Sequence, residues 1–189
     1  MVVWLVGLSG AGKTSIATVL LELWRRRRPN VVLLDGPALR AAVDGPDPEL
    51  AFDLAARTRR EQRIAELCAL LDTQGLDVIC ALNSVDQSVR DRNRTRLAHY
   101  FEVFVATPVD VCLVRDRGEL YMRALRGQCT DVLGMDLPAD SPRSPDMIVD
   151  NGHPSADPAA HARRIMAGAF QKLASRSSEP AALQREAHA

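Results

Sequence analysis

Short runs of apolar residues alternate with longer amphipathic segments along most of the chain. Because five of these runs are bounded by turn or polar residues and are too short for core helices, they predict strands at Val2–Val6, Val31–Leu34, Val78–Ala81, Phe101–Val105 and Met147–Val149. The segments between them predict helices at Lys13–Arg28, Ala55–Gln74, Ser88–Tyr100, Val109–Asp116 and Pro158–Ser175. Strands that are buried on both faces read as continuous apolar runs, as these do. The pattern therefore predicts a three-layer α/β/α domain with a mostly parallel five-stranded sheet.

Three polar stretches do not fit this alternation. Asp44–Glu49 is a cluster of turn residues, and Gly127–Pro145, which contains Gly, Pro and Asp, is expected to form an ordered loop or lid. After Ser175 the chain becomes rich in Ser, Ala, Arg and Glu. A chain of 189 residues suits one domain. We expect that domain to span residues 1–175 and to be followed by a disordered tail at 176–189.

The segment Gly7–Thr14 reads Gly-Leu-Ser-Gly-Ala-Gly-Lys-Thr and matches the phosphate-binding G-x-x-x-x-G-K-[ST] pattern, the P-loop. A predicted strand leads into it and a predicted helix leads out, which is the context that this motif requires. The backbone N–H groups and the helix N-terminus would surround the phosphates of ATP. Lys13 would reach the β- and γ-phosphates, and the Thr14 hydroxyl would hold Mg²⁺. The predicted ATP-binding residues of the loop are Gly7, Ser9, Gly10, Ala11, Gly12, Lys13, Thr14 and Ser15.

The basic residues are almost all arginines, since only Lys13 and Lys172 among the 24 are lysines. One of the two lysines therefore lies in the P-loop, where a compact ammonium is needed. The 24 acidic residues cancel the positive charge, and only 4% of the residues are aromatic, so neither nucleic acid nor a membrane is an expected partner. The four cysteines form no CxxC pair, and we expect a cytoplasmic protein.

Asp35 follows the second predicted strand. Because the carboxyl ends of parallel strands line the site of such a sheet, the Asp35 carboxylate is expected near the metal and the transferred phosphoryl group. There it could hold Mg²⁺ or accept the proton of the attacking hydroxyl. The alternative is that Asp35 caps a short helix at Pro37–Val43. Arg40 could hold an anionic acceptor or could be a solvated helix residue.

These residues together resemble the adenylyl-sulfate kinase (APS kinase) family of P-loop kinases. After the P-loop and Leu34-Asp35-Gly36-x-x-x-Arg40, the matching positions continue in the same order to about residue 170. They are Phe52 and Arg57, Val78-Ile79-Cys80-Ala81-Leu82-x-Ser84, Asp91-Arg92, Phe101–Val105 with Thr107-Pro108, Cys112-x-x-Arg115-Asp116, Leu120-Tyr121-x-x-Ala124, Gly127, Gly134-Met135-Asp136-x-Pro138, Pro142 and Pro145.

The resemblance implies a kinase that uses Mg²⁺ and ATP to phosphorylate the 3′-hydroxyl of adenylyl sulfate, and it implies a homodimer. It places Arg115 near the ATP adenine and a mobile lid at residues 115–127. The acceptor would contact Arg40, Phe52, Arg57, Arg60 and Ser84.

The acceptor side departs from the family pattern. Pro37 stands where the family has a second aspartate, Arg60 replaces an asparagine that contacts the adenylyl group, and Gly118 replaces a lysine of the lid. One helix face carries Arg57, Arg60 and, less closely aligned with them, Arg63. These arginines could converge on an anion, or they could pair with Glu61 or Glu66. Three hypotheses stay open: adenylyl sulfate as the acceptor, another hydroxyl compound such as a nucleoside diphosphoramidate, or a nucleotide-binding module without catalysis.

Overall fold

A parallel sheet lies at the centre of the protein. It is seen in a computed structural model that describes residues 1–36, 38–39, 42, 54–83, 86–116, 120–138 and 141–177. Within these residues the strands are β1 (Val2–Val6), β2 (Val31–Asp35), β3 (Asp77–Leu82), β4 (Tyr100–Ala106) and β5 (Met147–Asp150). Their order across the sheet is β2-β3-β1-β4-β5, and every neighbouring pair is parallel. β1 is therefore central, and the P-loop that follows it emerges in the middle of the carboxyl edge.

Helices cover both faces of the sheet. The described helices are α1 (Lys13–Arg25), α2 (Leu54–Thr73), α3 (Gln87–Arg96), α4 (Val109–Val114), α5 (Leu120–Leu125) and α6 (Pro158–Ser177). α1 and α6 pack together on one face, where the rings of Trp24 and Phe170 lie 4.6 Å apart between centroids. α2 and α3 contribute Ile64 and Val89 to the core on the other face.

The residues of β1 explain why the strands read as continuous apolar runs. Val3 and Leu5 belong to the core under α1 and α6, whereas Val2, Trp4 and Val6 belong to the core under α2 and α3. Successive side chains of a strand point to opposite faces, so a strand between two helical layers needs an apolar residue at every position. The predicted three-layer α/β/α fold with a five-stranded parallel sheet is confirmed.

The helix predicted at Ser88–Tyr100 is too long by four residues. α3 ends at Arg96, and the backbone of Leu97 is extended, with φ −87° and ψ 119°. This turn buries the Leu97 side chain and lets Tyr100 begin β4, where it pairs with Val2. The predicted helix therefore extended into β4, because the residues between α3 and β4 are also apolar or amphipathic.

Other boundaries differ less. α1 ends at Arg25 rather than Arg28, and the Arg28 guanidinium instead bonds the Asp77 carboxylate at the start of β3. α6 continues two residues beyond the predicted end of the domain, to Ser177. α5 lies in the predicted lid, where no helix was expected. The turn cluster Asp44–Glu49, most of the short helix Pro37–Val43 and the tail from residue 178 onwards lie outside the described residues.

The described part of Gly127–Pro145 is anchored to the domain. The Asp136 carboxylate accepts hydrogen bonds of 2.6 Å from the backbone N–H groups of both Asp131 and Val132. Arg94 of α3 donates to the Ser144 carbonyl at 2.7 Å and to the Glu102 carboxylate of β4 at 3.0 Å. The Asp136 bonds brace the loop internally, and the Arg94 bond to Ser144 holds its C-terminal end beside β4.

The described residues lack a membrane-spanning helix and a cluster of metal ligands. No helix there has both the length and the apolar character needed to cross a bilayer. The described part of the chain also holds no group of three or more His, Cys, Asp or Glu residues that could bind a metal. All four cysteines are described and are free, and Cys68, Cys80 and Cys112 are buried.

Candidate active site

The P-loop follows β1 and turns sharply before α1. Gly10 and Gly12 have φ angles of +74° and +94°, in the region that residues with a Cβ rarely adopt. A Cβ on Gly12 would also lie 2.3 Å from the Asn151 side-chain nitrogen, and one on Gly10 would lie 2.7 Å from the Cys112 carbonyl oxygen. The path of the loop therefore requires glycine at both positions.

Residues from distant elements hold this path. The Ala11 carbonyl accepts hydrogen bonds from the Asn151 side chain at 2.7 Å and from the Thr107 hydroxyl at 3.1 Å. Tyr121 of α5 donates from its hydroxyl to the Ser9 carbonyl at 2.9 Å. Thr107 and Asn151 directly follow β4 and β5, so the rule that strand ends share one edge could have identified them from the sequence.

Lys13 begins α1, and its side chain turns back over the loop. Its Nζ donates to the carbonyls of Gly7 at 2.9 Å and Leu8 at 2.6 Å, and to the Asn83 side-chain oxygen at 2.6 Å. The residue is only 8% exposed, and burial lowers the pKa of its ammonium from 10.5 to about 8, although Cys112 and Asp35 oppose this shift. The ammonium is therefore held in place but poorly solvated.

Asp35 is the last residue of β2 and lies in register with Ala81 of β3. The Thr14 hydroxyl lies 3.0 Å and 3.2 Å from its two carboxylate oxygens. A hydroxyl and a carboxylate in contact provide the hard oxygen ligands that Mg²⁺ prefers, and Mg²⁺ takes its remaining ligands from water and phosphate. This pair therefore fits a Mg²⁺ ion.

A cavity of about 1070 Å³ connects the P-loop with α2. Lys13, Thr14 and Asp35 line one side of it. Arg57, Arg60, Glu61 and Ile64 of α2 also line it, as does Asn83, which directly follows β3. The α2 residues are three and four positions apart and so share one face of the helix. The cavity therefore joins the predicted phosphate site to two of the predicted acceptor residues.

The remaining arginine of the predicted cluster is placed differently. Arg63 is exposed and is not among the residues that line the cavity. Glu66, proposed as an alternative partner of the cluster, bonds Arg96 of α3 instead, and this bond lowers the pKa of the Glu66 carboxyl. Glu61 is 4% exposed and accepts a hydrogen bond of 3.2 Å from the Asp86 backbone.

Most of the predicted ATP-binding residues face the cavity. Ser9, Gly10, Gly12, Ser15 and Arg115 lie on its wall together with Lys13 and Thr14. Gly7 and Ala11 do not. Gly7 faces a separate cavity of about 460 Å³. Ala11 has its side chain in the core and donates its N–H to the Leu8 carbonyl at 3.1 Å, so this N–H is already engaged within the loop.

The start of the predicted lid contacts the P-loop side of the cavity. Arg115 donates to the Asn151 carbonyl at 2.8 Å, and the Asp116 carboxylate accepts the Tyr121 N–H at 2.7 Å. These bonds link residues on either side of positions 117–119, which lie outside the described residues. Arg40, Phe52 and Ser84, predicted to bind the acceptor, also lie outside them, so their roles stay predictions.

Comparison with known proteins extends these observations. The chain is 34% identical to the adenylyl-sulfate kinase of Buchnera aphidicola over 79% of its own length and 72% of that protein. It is 31% identical to the cytidine diphosphoramidate kinase of Campylobacter jejuni over 79% of its own length and 85% of that protein. A probable bifunctional SAT/APS kinase of Sorangium cellulosum matches at 34%, but the chain spans only 26% of it.

Solved structures agree with these relatives. The APS kinase CysC of Mycobacterium tuberculosis, solved in complex with AMPPNP and APS, superposes with a TM-score of 0.79 at 29% identity, covering 88% of this chain and 95% of CysC. The family model described as adenylylsulphate kinase matches residues 1–150, which include the P-loop, Asp35, the α2 wall and β5. The chain therefore belongs to the adenylyl-sulfate kinase family.

Proposed function

We propose that this protein transfers the γ-phosphoryl group of ATP to a hydroxyl of a small, anionic, nucleotide-type acceptor. One observation carries the proposal: a single cavity contains the P-loop lysine, the Thr14–Asp35 pair and the two arginines of α2. ATP is the natural donor for such a site, and CysC, which shares the fold and the family, was solved with an ATP analogue.

In this proposal the P-loop residues bind and orient the phosphates. The Lys13 ammonium lies against the β- and γ-phosphates and stabilises the charge that develops during transfer. Thr14 and Asp35 hold Mg²⁺, which when bound neutralises the phosphate oxygens. In this proposal Asp35 also accepts the proton of the acceptor hydroxyl, since its carboxylate lines the same cavity as the α2 arginines.

The acceptor is expected to carry at least one strongly anionic group. Arg57 and Arg60 lie one turn apart on the cavity wall, and planar guanidinium groups bind phosphate and sulfate oxygens in pairs. Adenylyl sulfate and cytidine diphosphoramidate, the compounds in the names of the relatives, both join two such groups to a nucleoside. We propose that the acceptor has this general form and that Arg60, absent from the family pattern, selects among its members.

The experiment is a coupled assay of ADP release with ATP, Mg²⁺ and each acceptor in turn. Adenylyl sulfate, cytidine diphosphoramidate and the corresponding unmodified nucleotides form the panel, and phosphorus NMR locates the new phosphate ester. We expect phosphorylation of one of the two modified nucleotides. The substitution Arg60→Asn, which introduces the residue of the family pattern, should raise the activity with adenylyl sulfate relative to the activity with cytidine diphosphoramidate. Tight ATP binding without phosphorylation of any compound would support a module without catalysis instead.

Nucleotide binding is expected to take up protons near pH 8. The pKa of Lys13 is about 8, and the charge of a bound phosphate would favour the protonated ammonium and raise this pKa. Between the Lys13 pKa of the free protein and the higher Lys13 pKa of the complex, the complex binds more protons than the free protein. The affinity for ADP therefore falls as pH rises above 8. Calorimetry of ADP in EDTA, in two buffers of different ionisation enthalpy, measures the uptake directly. Lys13→Met should abolish it, and equal enthalpies in both buffers would contradict the prediction.

A further inference from the structure

Asn83 has no role in the sequence motifs, yet its side chain contacts the central lysine. It directly follows β3, the strand between β2, which ends in Asp35, and β1, which leads into the P-loop. Its Oδ1 accepts a hydrogen bond from the Lys13 ammonium at 2.6 Å. The side chain is exposed to the cavity that contains the α2 arginines. Asn83 therefore contacts the P-loop lysine and lines the same cavity as the α2 arginines.

The Lys13 ammonium has three N–H donors, and the structure shows three acceptors for them. Two are backbone carbonyls of the loop, at Gly7 and Leu8, and they move only if the loop moves. The third is Asn83 Oδ1, which a side-chain rotation can release. When a phosphate oxygen binds the ammonium, Asn83 is thus the partner that gives way at the least cost.

We propose that Asn83 is an exchange residue: its amide oxygen competes with a phosphate oxygen for the Lys13 ammonium, and once nucleotide displaces it, its carboxamide contacts the acceptor next to the reacting hydroxyl. The inference rests on the proposed function, because it concerns the acceptor of the same site. A carboxamide both donates and accepts hydrogen bonds, so it can bind a sugar hydroxyl or a nucleobase edge. Asn83 would thereby couple nucleotide binding to acceptor binding and contribute to acceptor specificity.

The exchange makes two substitutions act in opposite directions on nucleotide affinity. Asn83→Leu removes the competitor for the ammonium, so affinity for ADP should stay within about threefold or increase. Asn83→Asp keeps an oxygen at the same place and adds a negative charge, which holds Lys13 more strongly and repels phosphate. We therefore expect its affinity for ADP to fall about tenfold. A residue that merely kept Lys13 in position for phosphate would weaken ADP binding when changed to leucine.

The acceptor is tested in the same variants by titrating adenylyl sulfate and cytidine diphosphoramidate into the ADP complex and by steady-state kinetics. For the acceptor that the wild type uses, Asn83→Leu should raise KM about tenfold, the size of one lost hydrogen bond. Asn83→Gln, which retains the carboxamide, should recover part of the loss. The exposed Asn30, remote from the cavity, provides the matched control as Asn30→Leu.

Each outcome decides the proposal. A loss of ADP affinity well beyond threefold in Asn83→Leu overturns the exchange, and an unchanged acceptor KM overturns the contact with the acceptor. If the wild type phosphorylates neither compound, the proposed function fails, while the opposite effects of leucine and aspartate on ADP affinity still test the exchange on Lys13.

Discussion

Replacement of Lys13 by methionine is expected to lower the rate of phosphoryl transfer by about 10²–10³-fold or more. Methionine fills a similar volume, so the loop carbonyls of Gly7 and Leu8 lose their donor but the packing around α1 changes little. What disappears is the positive charge that the P-loop places against the phosphates. The measurement is kcat at saturating ATP and acceptor, with far-ultraviolet circular dichroism to check the fold.

The chain offers a matched control for this change. Lys172, the other lysine, lies on α6 and bonds the Asp146 carboxylate at 2.5 Å. Lys172→Met removes the same charge from a site away from the cavity, so we expect thermal stability to fall slightly and kcat to stay within about twofold. Equal activity in Lys13→Met and Lys172→Met would refute the assignment of the P-loop as the catalytic phosphate site.

Replacement of Asp35 by asparagine is expected to lower kcat by about 10²-fold or more. The amide keeps the shape and can still accept the Thr14 hydroxyl, whose oxygen lies 3.0 Å from the nearer carboxylate oxygen. It loses the negative charge that attracts Mg²⁺ and the basicity that accepts a proton. The metal role predicts that the Mg²⁺ concentration needed for half-maximal rate rises, and the base role predicts a low kcat even at saturating Mg²⁺. A titration of Mg²⁺ at fixed ATP separates the two.

Asp110→Asn is the control for Asp35, because Asp110 is an exposed carboxylate in the first turn of α4. We expect unchanged kcat and unchanged dependence on Mg²⁺ in this variant. A wild-type rate in Asp35→Asn would instead favour the view that Asp35 serves only to cap the segment that follows β2.

The strand ends explain how much of this site the sequence could predict. Asp35 was predicted because it follows an apolar run and because carboxylates at such positions have a known chemistry. Asn83 and Asn151 follow β3 and β5 in the same way, but asparagine occurs after strands for many reasons, and only the contacts with Lys13 and Ala11 reveal a role. The order of the strands, which brings these ends together, depends on pairings over long sequence distances that a local pattern does not contain.

The apolar runs predicted the elements of the fold correctly wherever one run coincided with one element. Burial on both faces makes β1 and β3 continuous apolar runs that are easily recognised in the sequence. The end of α3 was missed because Leu97 is buried after the chain has left the helix, so an apolar residue marked a turn rather than a further helical position. α5 lies within residues 115–127, which the resemblance assigned to a mobile lid, so no helix was predicted there.

The bond from Asn151 to the Ala11 carbonyl joins residues 140 positions apart in the chain. Asn151 lies at the end of β5, which pairs with β4 at the edge of the sheet farthest from β2. A chain in which β5 has not paired with β4 therefore contains the whole P-loop sequence but lacks one of the bonds that hold its shape. A nucleotide that binds only the completed loop would add the free energy of its binding to the stability of the native state. The phosphate site and the far edge of the sheet are thus parts of one cooperative unit.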